Sequence, residues 1–243
     1  MRTVYINSFQ QLLKGLEKFR EDAPMAFFRG QSDARWPLIP KVGRAEYKHI
    51  EDDFLFADWK SAVRSHECVE ARTELELLAL AQHHGLATRL LDWTSSPMIA
   101  AFFAVWEPRK CDAAVFAYQS CEFLPSDSDV DPFERDSEST VTGWKPHPFT
   151  PRIRQQRGLF TIHSPPTTPH YALRRLERLV RFVIHRSYRD QLRDELAFFG
   201  FTRETLFPDL DGAAAHLNWN IHRFFPRRDK NTDSRASKKR GLK

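Results

Sequence analysis

Short apolar runs alternate with polar punctuation along this chain, and their periodicity predicts helices and strands in irregular succession. Phe9, Leu12, Leu13, Leu16 and Phe19 recur at three- and four-residue spacing behind a Ser8/Gln11 capping box, which predicts an amphipathic helix over 8–20. Residues 25–29 form a short apolar strand closed by Gly30, and 44–67 read as a helix with a mixed surface. A better helix is predicted over 70–84, with Leu75, Leu78 and Ala81 inward and Gly85 as its stop. A loop then runs through Thr94, after which Ser95 or Ser96 caps a nearly all-apolar helix at 97–106 with Pro97 in its first turn.

Strands are predicted at 113–118, 159–163 and 179–185, separated by an acidic, proline-containing stretch at 125–150 that reads as a surface excursion or a lid. Ser187 with Asp190 caps a last long helix, with Leu192, Leu196 and Phe199 inward and Gly200 ending it. Short helices near 202–206 and 209–219 close the pattern. Strands and helices interleave without the regular alternation of a doubly wound sheet, and no internal repeat is visible. The expected class is therefore α+β, a single domain with a small mixed or split sheet flanked by helices.

Composition narrows this picture. In 243 residues, 41% are hydrophobic, enough for one large core over residues 1–221. The longest apolar run, Met98 to Trp106, falls far short of the roughly 20 residues that span a bilayer. The first ten residues carry no apolar signal-peptide core and no asparagine lies in a glycosylation sequon, so a cytoplasmic protein without membrane association is expected. Cys68, Cys111 and Cys121 are odd in number and lack a CxxC spacing, which points to packed thiols rather than disulfides or zinc ligands. Charge is uneven: from His222 onward nine Lys/Arg face two Asp, whereas the whole chain is only +5. Residues 222–243 therefore read as a disordered basic tail, either solubilising or attractive to a protein, nucleic acid or other polyanion.

Polar chemistry concentrates in 81–104, AQHHGLATRLLDWTSSPMIAAFFA, directly ahead of the apolar helix. Arg29 leaves the end of an apolar strand and needs an anionic partner, either Asp92 within the chain or a ligand phosphate held by its planar fork. Gly30 would let a ligand approach and Gln31 would orient it. His83 and His84 sit at a helix C-terminus, where a histidine is often only a favourable charge or a satisfied ring. Arg89 and Asp92, three apart, would ordinarily pair with each other. Thr94, Ser95 and Ser96 are helix caps or, with the free amides there, an anion or ribose site. Gln156 precedes a glycine that opens a strand, in a region made positive by Arg152, Arg154 and Arg157, with Phe160 following. No GxGxxG, phosphate loop, GxSxG elbow or HExxH occurs, so metal catalysis and standard nucleotide hydrolysis find no support and no metal ligands are assigned.

Phe28-Arg29-Gly30-Gln31, Thr88-Arg89-Leu90-Leu91-Asp92-Trp93-Thr94, Gln156-Arg157-Gly158-Leu159-Phe160 and Leu206-Phe207-Pro208-Asp209-Leu210 together resemble the FRG-domain family, named for its Phe-Arg-Gly triplet. That resemblance runs from about Phe27 to Leu217 and implies no single activity. The order of motifs is in turn similar to the layout of ADP-ribosyltransferases, which use NAD. On that likeness Arg29 contacts phosphate, Thr94-Ser95-Ser96 with Ala100, Ala101 and Phe103 behind them shape the nicotinamide-ribose pocket, and Gln156 holds the third position. That position is usually a glutamate, whose charge supports an oxocarbenium-like transition state, whereas a glutamine only hydrogen-bonds. Asp92 or Glu76 are then the alternative acids.

Two main readings follow, with an enzyme acting on some other nucleotide as a third. One is an NAD-using transferase or glycohydrolase, a toxin or defence effector, with Arg29, Thr94, Gln156 and His83 in catalytic roles and Gly30, Gln31, Arg89, Asp92, Ser95, Ser96 and Phe160 binding the nucleotide; NAD is then substrate and no cofactor is bound permanently. The other is a non-catalytic protein- or nucleic-acid-binding module whose polar cluster is structural.

Overall fold

A computed structural model describes residues 1–21, 23, 25–63, 73–119, 123–134, 139–170 and 178–224. Cys68 and Cys121, and nearly all of the basic tail, lie outside them. The chain folds as one α+β domain around a mixed sheet in the order β1-β8-β4-β2-β3-β7-β6-β5. Its strands are β1 (Arg2–Ile6), β2 (Ala26–Gln31), β3 (Leu90–Thr94), β4 (Ala113–Gln119), β5 (Phe123–Leu124), β6 (Thr140–Trp144), β7 (Gly158–Ser164) and β8 (Arg178–Ile184). The helices are α1 (Phe9–Glu21), α2 (Asp52–Val63), α3 (Glu74–His83), α4 (Pro97–Val105), α5 (Pro151–Gln156), α6 (Arg189–Phe198), α7 (Arg203–Leu206) and α8 (Leu210–Phe224). No helix among the described residues is long and apolar enough to cross a membrane.

The sheet is nearly divided in two. β2 pairs with β4 over six residues and β3 with β7 over five, but β2 and β3 share a single bridge pair, Phe28 with Thr94. Gly30 and Asp92, next in that register, do not pair. Each half has its own cover. Phe28, Val115, Ala117, Val180, Phe182 and Ile184 pack under α1, α4 and α6, while Leu90, Phe160 and Ile162 pack with Phe56 of α2 and Leu75 and Leu78 of α3. Alternation sends Phe27, Leu91, Trp93 and Phe116 to the opposite face, where they meet Leu38.

Gly30 shows why the Phe-Arg-Gly triplet ends as it does. A Cβ built there would stand 1.9 Å from the Ala100 carbonyl oxygen and 2.6 Å from the Ala104 nitrogen, so only glycine lets α4 lie directly on β2. The glycine thus serves helix packing, and it also lines the cleft described below.

Several sequence expectations need correction. The loop through Thr94 contains strand β3, because Leu90, Leu91 and Trp93 are all buried and a strand covered on both faces loses its polar alternation. The 125–150 excursion contributes β6, which pairs with β7 and buries Trp144 completely against Phe160. The predicted 44–67 helix is a short 3-10 turn at Ala45–Tyr47 followed by α2, and its last residues lie outside the described ones. The 70–84 helix starts at Glu74, where the Thr73 side chain accepts the Glu76 amide. Ser187 does not cap α6: its hydroxyl bonds to His185 Nδ1, and Tyr188 precedes the first turn without a side-chain cap. Phe199 is exposed and stacks on Phe9.

Candidate functional site

The gap between β2 and β3 opens into a cleft of about 270 Å³, bounded on one side by the end of α4 and on the other by α3 and α5. Arg29, Gln31, His83, Asp92, Thr94, Gln156 and Phe160 line it. Arg29 sits across the divide, its Nη1 donating to the Asp92 carbonyl at 2.7 Å and standing 3.5 Å from Oδ2. The guanidinium side chain is 13% exposed and the carboxylate 55%, so the cation is enclosed while its partner faces the cleft. Asp92 is also fixed from α3, where Gln82 Nε2 donates to its Oδ1 at 2.6 Å, and Thr88 in turn holds Gln82 through its hydroxyl.

Other polar groups here are partly consumed by the fold. The Thr94 hydroxyl donates to the Gln156 carbonyl at 2.8 Å and accepts the Ser96 amide at 3.1 Å. Gln156 closes α5, and its side-chain amide donates to the Leu206 carbonyl at 3.0 Å. Arg157 then takes a left-handed backbone, φ 48°, to turn the chain into β7. The His83 ring lies against Phe160, and burial, opposed by Asp92 and reinforced by Arg152, pulls its pKa down to about 4. At neutral pH His83 is therefore an uncharged donor and acceptor, not a cation.

Three expected site residues fall outside the cleft. Arg89 pairs with Asp52 at the start of α2, with Nε and Nη2 at 2.8 and 2.7 Å from the two carboxylate oxygens, rather than with Asp92. Arg89 precedes β3 and reaches Asp52 at the start of α2, whereas Asp92 lies on β3 within reach of Gln82 on α3. Ser96 caps α4, accepting the Ile99 amide, and exposed Ser95 uses its own amide on the Arg157 carbonyl. The hydroxyl cluster thus builds a helix start, and only Thr94 reaches the cleft. His84 is exposed at the end of α3. Glu76, the other acid considered, is buried in α3 and does not line the cleft.

The cleft also contains residues that sequence reasoning passed over, Trp36, Arg44, Gln82 and Glu107, beside Phe103, which the ADP-ribosyltransferase likeness had placed behind the hydroxyl motif. Arg152, noted earlier only for its charge, lines it as well, donating to the His83 carbonyl at 3.1 Å with its guanidinium 4.6 Å from the Phe207 ring. Gln82 adjoins the histidine pair and had a signal of position. Trp36 and Arg44 sit on the irregular stretch after β2, where no periodicity marks them. That stretch is anchored from afar by Arg189, almost fully buried, whose guanidinium donates to the carbonyls of Ser32, Cys111 and Glu107 at 2.8–3.2 Å. Arg44 and Arg109 lie 5.9 and 4.9 Å from the Trp36 ring, and Arg109 is neutralised by Glu107 at 2.9 Å.

Among the described residues no group of three or more metal-ligating side chains occurs. Comparison with known families finds that residues 24–113, from β2 to the start of β4, match the model of the FRG domain family. No curated protein and no solved structure matches it.

Proposed function

We propose that the cleft binds a phosphate-bearing nucleotide, with NAD as the substrate of an ADP-ribosyltransferase-like or glycohydrolase reaction. One observation carries this reading. Arg29, Arg44 and Arg152 converge on a cleft whose carboxylates are Asp92 and Glu107, and among the described residues neither Arg44 nor Arg152 has a carboxylate within ion-pair distance. Uncompensated guanidinium groups in a semi-enclosed cleft favour a di-anionic ligand, because a pyrophosphate supplies both charge and two-point geometry. The enclosed volume lies near the lower end of the roughly 300–1,000 Å³ typical of small-molecule sites, so one half of a dinucleotide fits inside and the rest lies along the rim.

Asp92, rather than position 156, supplies the carboxylate in this reading. Held by Gln82 and Arg29 yet open to the cleft, it is pre-aimed to stabilise the positive charge that grows on the ribose as its bond to nicotinamide breaks. The bonding pair leaves with nicotinamide. A water or acceptor hydroxyl then attacks the ribose carbon, and neutral His83 accepts the proton it gives up.

Calorimetry with NAD and ADP-ribose tests the binding step, and nicotinamide release tests the chemistry. Arg152→Ala removes a charged contact worth about 1.5–3 kcal/mol and is expected to weaken binding by an order of magnitude or more. Absence of heat with either ligand refutes the reading. The specific observation favouring the alternative, a structural cluster in a binding module, is the Arg29–Asp92 contact itself, since it already gives the buried cation a partner.

A further inference from the structure

Gln31 and Arg29 project from the same face of β2, two residues apart, and each keeps a buried polar atom without a partner. Gln31 is 3% exposed and lines the cleft. Its amide is oriented by chemistry: Nε2 donates to the Pro37 carbonyl at 3.3 Å, and because that carbonyl only accepts, the opposite face of the amide must be the oxygen. Oε1 therefore stands buried with no donor to accept from. Arg29 Nε–H is likewise buried and unused, although Nη1 is engaged by Asp92. Leaving such groups unpaired is costly, and native interiors rarely do so without a reason.

We infer that this strand reads two features of the ligand at once: Arg29 Nε takes an anionic oxygen, and Gln31 Oε1 accepts from an amino group on the ligand's aromatic ring system. Successive same-face positions on a strand lie about 6.6–6.8 Å apart, which sets the spacing between the two features. The inference rests on the nucleotide reading above and deepens it by naming the recognition element, a ring-borne NH2. In a dinucleotide such as NAD this group exists at both ends, as the 6-amino group of adenine and as the carboxamide of nicotinamide. A ring carrying a keto or carboxylate oxygen in that place would turn a lone pair toward Oε1 and be rejected.

The test compares three ligands by calorimetry on the full-length protein: NAD, the dinucleotide with hypoxanthine in place of adenine, and the dinucleotide with nicotinic acid in place of nicotinamide. The wild-type protein is expected to bind one of the two analogues about five- to a hundredfold more weakly than NAD, the range for leaving a buried acceptor unpaired, and the weaker one identifies the end that Gln31 reads. Gln31→Met, close to isosteric, should remove that discrimination, with Gln31→Leu as a second substitution should the first not fold. The wild-type ranking does not depend on either variant. Equal binding of all three ligands overturns this inference while leaving the proposed function standing, as does discrimination that persists in the Gln31 variants. Failure of every dinucleotide to bind instead overturns the proposed function itself.

Discussion

The Arg89–Asp52 pair gives the most demanding test of how this site is supported. Its side chains are 8% and 9% exposed, two nitrogen–oxygen contacts of 2.7 and 2.8 Å join them, Arg89 Nη1 also donates to the Pro132 carbonyl at 3.0 Å, and the guanidinium lies 4.6 Å from the Phe133 ring. Asp52→Ala would leave a buried cation facing one carbonyl and one aromatic face. Breaking one side of such a pair costs about 3–5 kcal/mol, whereas replacing both partners with apolar groups is often close to neutral. For a chain of this size each kcal/mol moves the melting temperature by about 2–4 °C, so either single variant should melt roughly 6–20 °C lower. Urea denaturation of Asp52→Ala, Arg89→Met and the double variant measures the coupling. The double variant should be more stable than the two single losses add up to, by at least about 2 kcal/mol. The exposed Lys60–Glu74 pair, 35% and 45% exposed, is the control, and Lys60→Ala should cost no more than about 1 kcal/mol. Single losses below about 1 kcal/mol, or strict additivity, would refute the view that Arg89 is a structural anchor rather than a ligand contact.

Other consequences can be checked alongside it. Gly30→Ala forces a Cβ against the backbone of α4 and should destabilise by about 3 kcal/mol or more in the same denaturation assay, with little relief available because the clashing atoms are backbone. Burial lowers the pKa of His83 and His163 to about 4 and that of His170 to about 3, so between pH 6.5 and 4 the unfolded chain binds protons that the native state refuses. Stability should therefore fall as pH drops through this window, by about 1.4 kcal/mol per pH unit for each histidine fully engaged, and stay level above pH 7; flat melting temperatures from pH 7 to 5 would contradict this. Asp92→Asn should leave NAD binding within a few-fold while abolishing nicotinamide release, and unchanged turnover in that variant would remove Asp92 from the chemistry.

How much of this could be read from the sequence depends on what kind of pattern each element leaves. Two helices were legible: α1 and α4 lie within a residue or so of their predicted limits, α1 through its capping box and amphipathic period and α4 through its serine cap, Pro97 and a continuous apolar run. Strand β3 was not, because Leu90, Leu91 and Trp93 face cores on both sides and only Asp92 breaks the apolar run. β1 escaped because it is a short edge strand in which Arg2 and Tyr5 stay exposed, leaving little periodic signal. In the cleft, residues of unusual chemistry next to apolar elements were found: Arg29, Gln31, His83, Asp92, Thr94 and Gln156 do come together. Arg89 was misplaced for the reason that sequence proximity poorly predicts ion pairs across elements. Its partner Asp52 is 37 residues away and nothing local announces it. Trp36 and Arg44 were missed because they lie on the irregular stretch between β2 and α2, where no helical or strand period marks which side chains face inward.

The divide between β2 and β3 and the chemistry it holds have a common origin in the residues that flank the single bridge pair. Directly after Phe28 the strand presents Gly30 to α4, which fixes β2 against the helix with no side chain between them. On the other half-sheet Asp92, the residue in register with Gly30, is claimed by Gln82 from α3. The two strands are thus tied to different covers at the very position where they would pair. Arg29 spans the resulting gap, replacing backbone pairing by one bond to the Asp92 carbonyl and a longer contact to its carboxylate. A gap closed by two apolar side chains would be inert. Closed by a guanidinium with an unused Nε–H and a carboxylate open to the cleft, it retains both signs of charge, the cation enclosed and the anion exposed. The feature that interrupts the sheet at its centre is therefore also the one that opens the cleft.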